Sequence, residues 1–186
     1  MHFDNIEIGT SDFRTLIGEA TGNGISIEPV PYYFDRLPDR PRWYKDNVAI
    51  SDKIGIMEIY FCNPNYLHLY PDWIRGCNSV GHVHPTLDTY CDKAHITSTL
   101  VESITLGMLQ DRHNITSVGF LKIDTEGHDA VILNDLLDTG FPLPQRILFE
   151  SNSLMMESTY NALVRRLSPR YRIRRKQFDT ECFKLF

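Results

Sequence analysis

The chain has 186 residues, 42% of them hydrophobic and 23% charged, with a formal net charge of −5. That length and composition suit one globular domain spanning 1–186, and the acidic balance argues against a nucleic-acid backbone as the main partner. No stretch approaches the roughly 18 apolar residues of a membrane span, the opening "MHFDNIEIGT" has no signal-peptide pattern, and Cys62, Cys77, Cys91 and Cys182 form no CxxC pair, so a cytoplasmic protein with reduced thiols is expected.

The first strand begins almost at once, with "NIEIGT" (Asn5–Thr10), and a short helical stretch follows from about Phe13 to Ala20. "GISIEP" (Gly24–Pro29), "NVAIS" (Asn47–Ser51) and "IGIMEIYFC" (Ile54–Cys62) read as strands, the last β-branched and aromatic throughout. Asn63 to about Ile96 reads as a long irregular stretch carrying Pro64, Pro71, Pro85, Gly76, Gly81 and several histidines. A connection that long inside a compact domain points to a functional loop or lid. "TSTLVESIT" (Thr97–Thr105) stays open: its threonines and alternation favour a strand, while Thr99 and Glu102 have the spacing of a capping box.

"VGFLKID" (Val118–Asp124) is a near-continuous apolar run of the kind found in a central parallel strand. After Gly127, residues Ala130, Ile132, Leu133, Leu136 and Leu137 fall at helical spacing, with Gly140 as the stop. "RILFE" (Arg146–Glu150) is a strand and "MMESTYNALVRRL" (Met155–Leu167) a helix, and "YRIRRKQF" and "CFKLF" form a closing antiparallel pair. Strands alternating with helices define an α/β sandwich on a mainly parallel sheet, with an antiparallel hairpin at one edge.

In such sheets ligands bind at the carboxyl ends of the strands, near the switch in strand order. "IEIGTSDF" puts Glu7 inside a strand, Gly9 at the turn and Ser11-Asp12 at a helix start; Gly9 permits close approach to a ligand, but no full GxGxxG is present to cradle a phosphate. Glu28, about twenty residues on, can accept both hydroxyls of a ribose, or simply cap the turn at Pro29. The third strand end, Ser51-Asp52, offers backbone to an adenine edge.

"IEIGTSDF", "ISIEPVPYYFDRL", "NVAISD", "FLKIDTEGHDAVIL" and "ILFE" occur in the order and approximate spacing of the FkbM-family methyltransferases, which this chain resembles over most of Asn5–Glu150. "SITLGML" (Ser103–Leu109) is similar to the family's strand-then-TLDDLL step, which favours a strand for Thr97–Ile104, although Gly107 replaces the usual Asp. The resemblance implies a Rossmann-like class I methyltransferase fold, S-adenosyl-L-methionine as cofactor, and methyl transfer to a hydroxyl of a sugar or glycan. It places Glu7, Gly9, Thr10, Ser11 and Asp12 along the methionine end of the cofactor, Glu28 on the ribose, Pro29 and Val30 beside the adenine, and Ala49, Ile50 and Ser51 on the ring's other side. Asp124 and Thr125 would face the methyl group.

Removing the hydroxyl proton needs a base or a metal ion. Asp124 and His128 are the base candidates, and Lys122 shares the sheet face of Asp124 and needs a buried partner such as Glu7 or Glu150. Asp124 and Glu150, ending adjacent strands with Asn152 nearby, could instead share a divalent ion such as magnesium. For the acceptor the candidates are Trp73, His82, His84 and Glu126, with the stretch from about 63 to 96 as the acceptor-binding region; on a strand His82 and His84 would face one side. The basic run "RRLSPRYRIRRK" reads as a solvated helix end and strand face. Two other classes fit part of the pattern: an NAD-binding oxidoreductase, which would also use Glu28, and a non-catalytic binding module on the same fold.

Overall fold

The computed structural model describes residues 1–11 and 15–185. In chain order its strands are β1 (His2–Ile8), β2 (Gly24–Ile27), β3 (Trp43–Asp46), β4 (Ala49–Ile50), β5 (Gly55–Cys62), β6 (Ser79–Val80), β7 (Ile96–Ile104), β8 (Ser117–Ile123), β9 (Arg146–Glu150), β10 (Tyr171–Arg175) and β11 (Asp179–Lys184). Its α-helices are α1 (Leu16–Glu19), α2 (Pro31–Phe34), α3 (Pro85–Tyr90), α4 (Leu106–His113), α5 (Asp129–Asp138) and α6 (Glu157–Leu167).

Seven strands form one sheet in the order β10-β11-β9-β8-β1-β2-β3. The pairs β1–β2, β2–β3, β1–β8 and β8–β9 are parallel, and β11 and β10 add antiparallel to β9, which gives the expected α/β fold with its edge hairpin. The chain leaves β1 in one direction through β2 and β3, then returns to the other side of β1 as β8. The strand order therefore reverses between β1 and β8, where an open α/β sheet leaves a crevice.

The four remaining strands make a separate sheet, β4-β7-β5-β6, that the sequence reading did not separate from the first. Thr97–Ile104 is indeed strand, paired antiparallel with β5 as far as Ser103 and parallel with β4 at Ser103 and Ile104.

Burial follows from the alternation of the strands. Ile6, Ile8, Leu121, Ile123, Ile147 and Phe149 form the apolar face of the main sheet, and the buried stripes of α4, α5 and α6 (Leu109, Ile132, Leu133, Leu136, Leu163, Leu167) complete that core. The helix α5 ends at Asp138, and Gly140 takes the left-handed conformation just beyond (φ +74°), as the stop signal required.

Three expectations shift. The first strand covers His2–Ile8, not Asn5–Thr10, because Gly9 and Ser11 both take positive φ (+77° and +46°) and end it early. Trp43–Asp46 is a strand that pattern alone missed; it is held by parallel pairing to β2 and by Trp43 Nε1, which donates to Ser26 Oγ at 3.0 Å. Residues 63–96 are not structureless: they hold 3₁₀ turns at Pro64–Leu69, Asp72–Gly76 and Lys93–His95, besides β6 and α3. Pro64 and Pro85 open helical turns, each at a first helical position and each preceded by a side-chain cap, Asn63 or His84. The segment has its own small core of Cys62, Ile74, Cys77, Leu87 and Cys91.

Where β1 and β8 end, their turns cross at contact distance. Asp124 N donates to Ile8 O at 2.9 Å, and a Cβ placed on Gly9 would lie 2.0 Å from the Asp124 carbonyl oxygen. Gly9→Ala is expected to cost about 3 kcal/mol or more, combining left-handed strain with that clash. Urea unfolding checks this; a variant with the wild-type midpoint would show that the two turns can separate freely.

Candidate active site

A cavity of about 230 Å³ opens at the reversal between β1 and β8. It lies between the two sheets. One wall is the carboxyl edge of the main sheet: Ile8, Gly9, Thr10 and Ser11 at the end of β1 and its turn, Glu28 and Pro29 after β2, and Lys122, Asp124, Thr125, Glu126 and His128 at the end of β8 and its turn. The other wall comes from the second sheet and is mostly apolar: Ala49 and Ile50 on β4, Ile59 on β5, and Ser79 and Val80 on β6. Gly76 and Asn78, from the 63–96 segment, close one side. Of these, Ile59, Gly76, Asn78, Ser79 and Val80 were not anticipated: Ile59, Ser79 and Val80 reach the cavity through pairing of the second sheet, and Gly76 and Asn78 through the turn that precedes β6.

Beneath the polar wall lies a buried ion pair. Glu7 is 0% exposed, and it accepts from Lys122 Nζ through Oε1 at 3.0 Å and from Leu16 N through Oε2 at 2.8 Å. Glu7 is thus the partner that Lys122 needed, but with both oxygens engaged it does not line the cavity, which corrects its expected place against a cofactor. Burial raises the Glu7 carboxyl against the pull of Lys122. For Lys122 burial acts downward, but the charges of Glu7 and Asp124 prevail and raise its pKa. Asp124 Oδ2 lies 3.7 Å from Lys122 Nζ.

Glu28 is 2% exposed and ties the first two turns together. Its Oε2 accepts from Ser11 N (2.7 Å), Thr10 N (3.2 Å) and Thr10 Oγ1 (3.3 Å), and its Oε1 from Val30 N (2.9 Å). The capping alternative is therefore realised, and Glu28 still faces the cavity with room for a further donor on Oε1. Burial raises this carboxyl to about 7 despite those bonds. Val30, expected beside an adenine, is fully buried in a cluster with Tyr33, Ala49 and Ile59 and does not itself line the cavity. Asp12 lies outside the described residues.

His128 turns toward β4. Ser51 Oγ donates to Asp52 Oδ1 at 3.3 Å, which leaves Ser51 Oγ to accept from His128 Nε2 at 3.1 Å. Ser51 is spent in this chain and does not itself line the cavity. Burial lowers the His128 pKa, so the ring is neutral at neutral pH.

Asp124, Glu126 and Glu150 bring carboxylate oxygens within 4.8 Å of one another. Burial raises Glu150 to about 9, with Glu126 and Asp124 adding to the rise. Its Oε2 is buried and meets no partner among the described residues. Beside these carboxylates Asn152 is engaged: its Nδ2 donates to Glu150 Oε1 at 2.6 Å and its Oδ1 accepts from Leu154 N at 2.8 Å. Asp129, fully buried behind the turn, accepts from Thr125 N, Thr125 Oγ1 and Glu150 N and so fixes both strand ends.

In the 63–96 segment, His82 and His84 do not share a strand face. His82 is exposed and bonds Val80 O through Nδ1, whereas His84 is buried and bonds Glu126 Oε2 at 3.1 Å. Trp73 lies on the outer surface, edge-on to Tyr90, not in the cavity. Part of the basic run is paired: Arg166 with Asp138, Arg175 with Glu157, and Arg174 and Lys176 with Glu181.

This architecture is a mixed α/β fold with a largely parallel central sheet and an acid-rich cavity where the strand order reverses. A model of the Methyltransferase FkbM domain matches residues 7–168, and the chain belongs to that family. No curated protein matches the chain. Among solved structures it is similar to the methyltransferase FkbM from Methylobacillus flagellatus KT, with a TM-score of 0.54, 12% identity and 98% of this chain covered. The match spans 44% of the length of that protein, and the likeness is one of fold.

Lys122→Met is expected to cost about 3–5 kcal/mol by leaving Glu7 buried and unpaired. The double variant Glu7→Gln/Lys122→Met should recover much of that loss. Urea unfolding of the four proteins checks it, and strictly additive losses would mean the two residues are not coupled.

Proposed function

We propose that the chain transfers a methyl group from S-adenosyl-L-methionine to a hydroxyl of a sugar or glycan, within a single domain. The observation that carries this reading is the joining of Gly9, Thr10, Ser11 and Glu28 in one cavity with Asp124 and Glu126 at the strand reversal. The turn after β1 offers backbone to the methionine end of the cofactor, Glu28 Oε1 its remaining acceptor capacity to the ribose, and Pro29, Ala49 and Ile50 apolar surface to the adenine. No phosphate loop is present, which disfavours NAD. The intact KIDTEG stretch disfavours a binding module without catalysis. The buried free cysteines suit a reducing, cytoplasmic setting, and among the described residues no helix is long and apolar enough to cross a membrane.

At the methyl-accepting end, Asp124 and Thr125 face the proposed methyl position, with Lys122 holding Asp124 in place. The acceptor lies under the 63–96 segment, against Glu126. A neutral His128, with Nε2–H committed to Ser51, keeps Nδ1 as its basic nitrogen. A second reading keeps a divalent cation such as magnesium, held by Asp124, Glu126 and Glu150; the partnerless Glu150 Oε2 favours it. Such an ion would lower the pKa of the acceptor hydroxyl.

Calorimetry with S-adenosylmethionine, S-adenosylhomocysteine and NAD separates the classes, and radiolabelled methyl transfer to a glycan panel tests the acceptor. Glu28→Gln should weaken S-adenosylhomocysteine about tenfold or more, the loss of a charged acceptor. In the wild type that affinity should hold above pH 7 and fall as Glu28 gains its proton below about 7; a flat profile from pH 5.5 to 8.5 would remove Glu28 from the ribose. Asp124→Asn should cut methyl transfer at least about a hundredfold while the melting temperature stays near wild type. Loss of activity in EDTA, restored by magnesium, selects the metal; full activity in EDTA with an inactive His128→Ala selects the imidazole.

A further inference from the structure

Cys77, His84 and Glu126 bring one ligand atom each within 4.8 Å of the others, a donor set that zinc accepts. The hydrogen bonds of His84 decide against zinc. His84 caps α3, and its Nδ1 accepts the backbone N–H of Thr86 at 3.0 Å. A backbone N–H can only donate, so Nδ1 carries the lone pair and the single proton of the neutral ring sits on Nε2. That Nε2–H points at Glu126 Oε2, 3.1 Å away. A metal on Nε2 would have to displace this proton while Nδ1 still faced a donor, which leaves the ring no place for its proton.

Glu126 is one of four non-glycine residues with positive φ among those described, at +50°. Such a backbone persists only where its surroundings hold it. Ser11, at +46°, is another, and its Oγ donates to Arg75 O at 2.9 Å. Both strained residues thus sit at the cavity's strand ends, and both are tied to the 63–96 segment. The bond from His84 occupies Oε2 of Glu126 and leaves Oε1, on a side chain that lines the cavity, to meet a ligand.

We propose that His84 is a positioning residue: locked by Thr86 N–H as the Nε2–H tautomer, it holds Glu126 with one oxygen directed at a hydrogen-bond-donating acceptor. This goes beyond the function above by giving His84 a donor's role, and it rests on that reading only for the identity of the acceptor.

The decisive variant is His84→Asn. Asparagine is among the best helix caps, so it keeps the bond to Thr86 and the start of α3, but its shorter amide falls short of Glu126. In protein labelled with ¹⁵N-histidine, the ring correlations of His84 should show the neutral Nε2–H form, and they should be unchanged in Glu126→Gln, whose amide oxygen still accepts. Against the glycan panel, His84→Asn should raise acceptor KM about tenfold, the loss of one hydrogen bond to a charged group, with kcat within about twofold. Its affinity for S-adenosylhomocysteine should match wild type. An Nδ1–H signal, or stoichiometric zinc binding that Cys77→Ser abolishes, overturns the proposal. So does a His84→Asn variant with wild-type acceptor KM, or one that loses S-adenosylhomocysteine. If no glycan is methylated, the functional reading fails, and the ring correlations and zinc titration still decide the role of His84.

Discussion

The crossing of the turns after β1 and β8 is the constraint on which the rest of this structure depends. Gly9 lies so close to the Asp124 carbonyl that no side chain fits between them. This contact brings the first strand end, whose Thr10 and Ser11 N–H groups are already bonded to Glu28, beside the carboxylates of the KIDTEG turn. Glu28 then spans from the end of β2 to Thr10 and Ser11, and Asp129 spans from the KIDTEG turn to the end of β9. Two buried carboxylates therefore fasten four strand ends, each by accepting backbone N–H groups that the turns would otherwise leave unsatisfied.

The consequence is an unusual density of acid. Glu7, Glu28, Asp124, Glu126, Asp129 and Glu150 all sit at or beneath one cavity wall, with Lys122 as the cation paired to Glu7 and Asp124. Burial alone would protonate many of these groups. Glu28 and Asp129 offset the cost with backbone donors, and Glu7 with Lys122 and Leu16 N. Glu150 is left with a buried oxygen that nothing described satisfies, so it is the group whose state should respond most to a bound cation or ligand.

How much of this was legible in the sequence depended on whether the signal was local. β9 was bounded to the residue and β8 within one, because buried parallel strands write a continuous apolar run. That Lys122 needs an acidic partner was legible too, since a lysine inside such a run demands an acid on a neighbouring strand, but the choice of Glu7 over Glu150 was not. The second sheet was not, because β6 is two residues long and exists through its pairing with β5. Pro64 and Pro85 look like loop markers in sequence and become helix starts only once Asn63 and His84 cap them. The bonds of Asn152 were not legible, because an amide has two faces, and which one meets Glu150 is set by Leu154 N, a contact no spacing rule encodes. The bond from His84 to Glu126 joins residues 42 apart in sequence and from separate elements.

The two walls of the cavity differ in kind, and the proposed reaction would use the difference. Methyl transfer from a sulfonium starts with a positive charge on the donor and disperses it along the line of attack. An acid-rich wall attracts that charge in the bound cofactor, while a mostly apolar wall of Ala49, Ile50, Ile59 and Val80 excludes water and so strengthens every interaction across the space. A carboxylate too close to the sulfonium would stabilise the ground state more than the transition state and slow the step. Glu7 is withheld from the cavity by Lys122 and Leu16, and Glu28 is held by the turns at the far side of Gly9. Asp124 would remain near the proposed reacting centre, with Lys122 tempering it at 3.7 Å. The half-buried lysine thus keeps Glu7 paired below the sheet edge and limits the negative field of Asp124 above it, so one cation would set the charge at the proposed reacting end of the cavity.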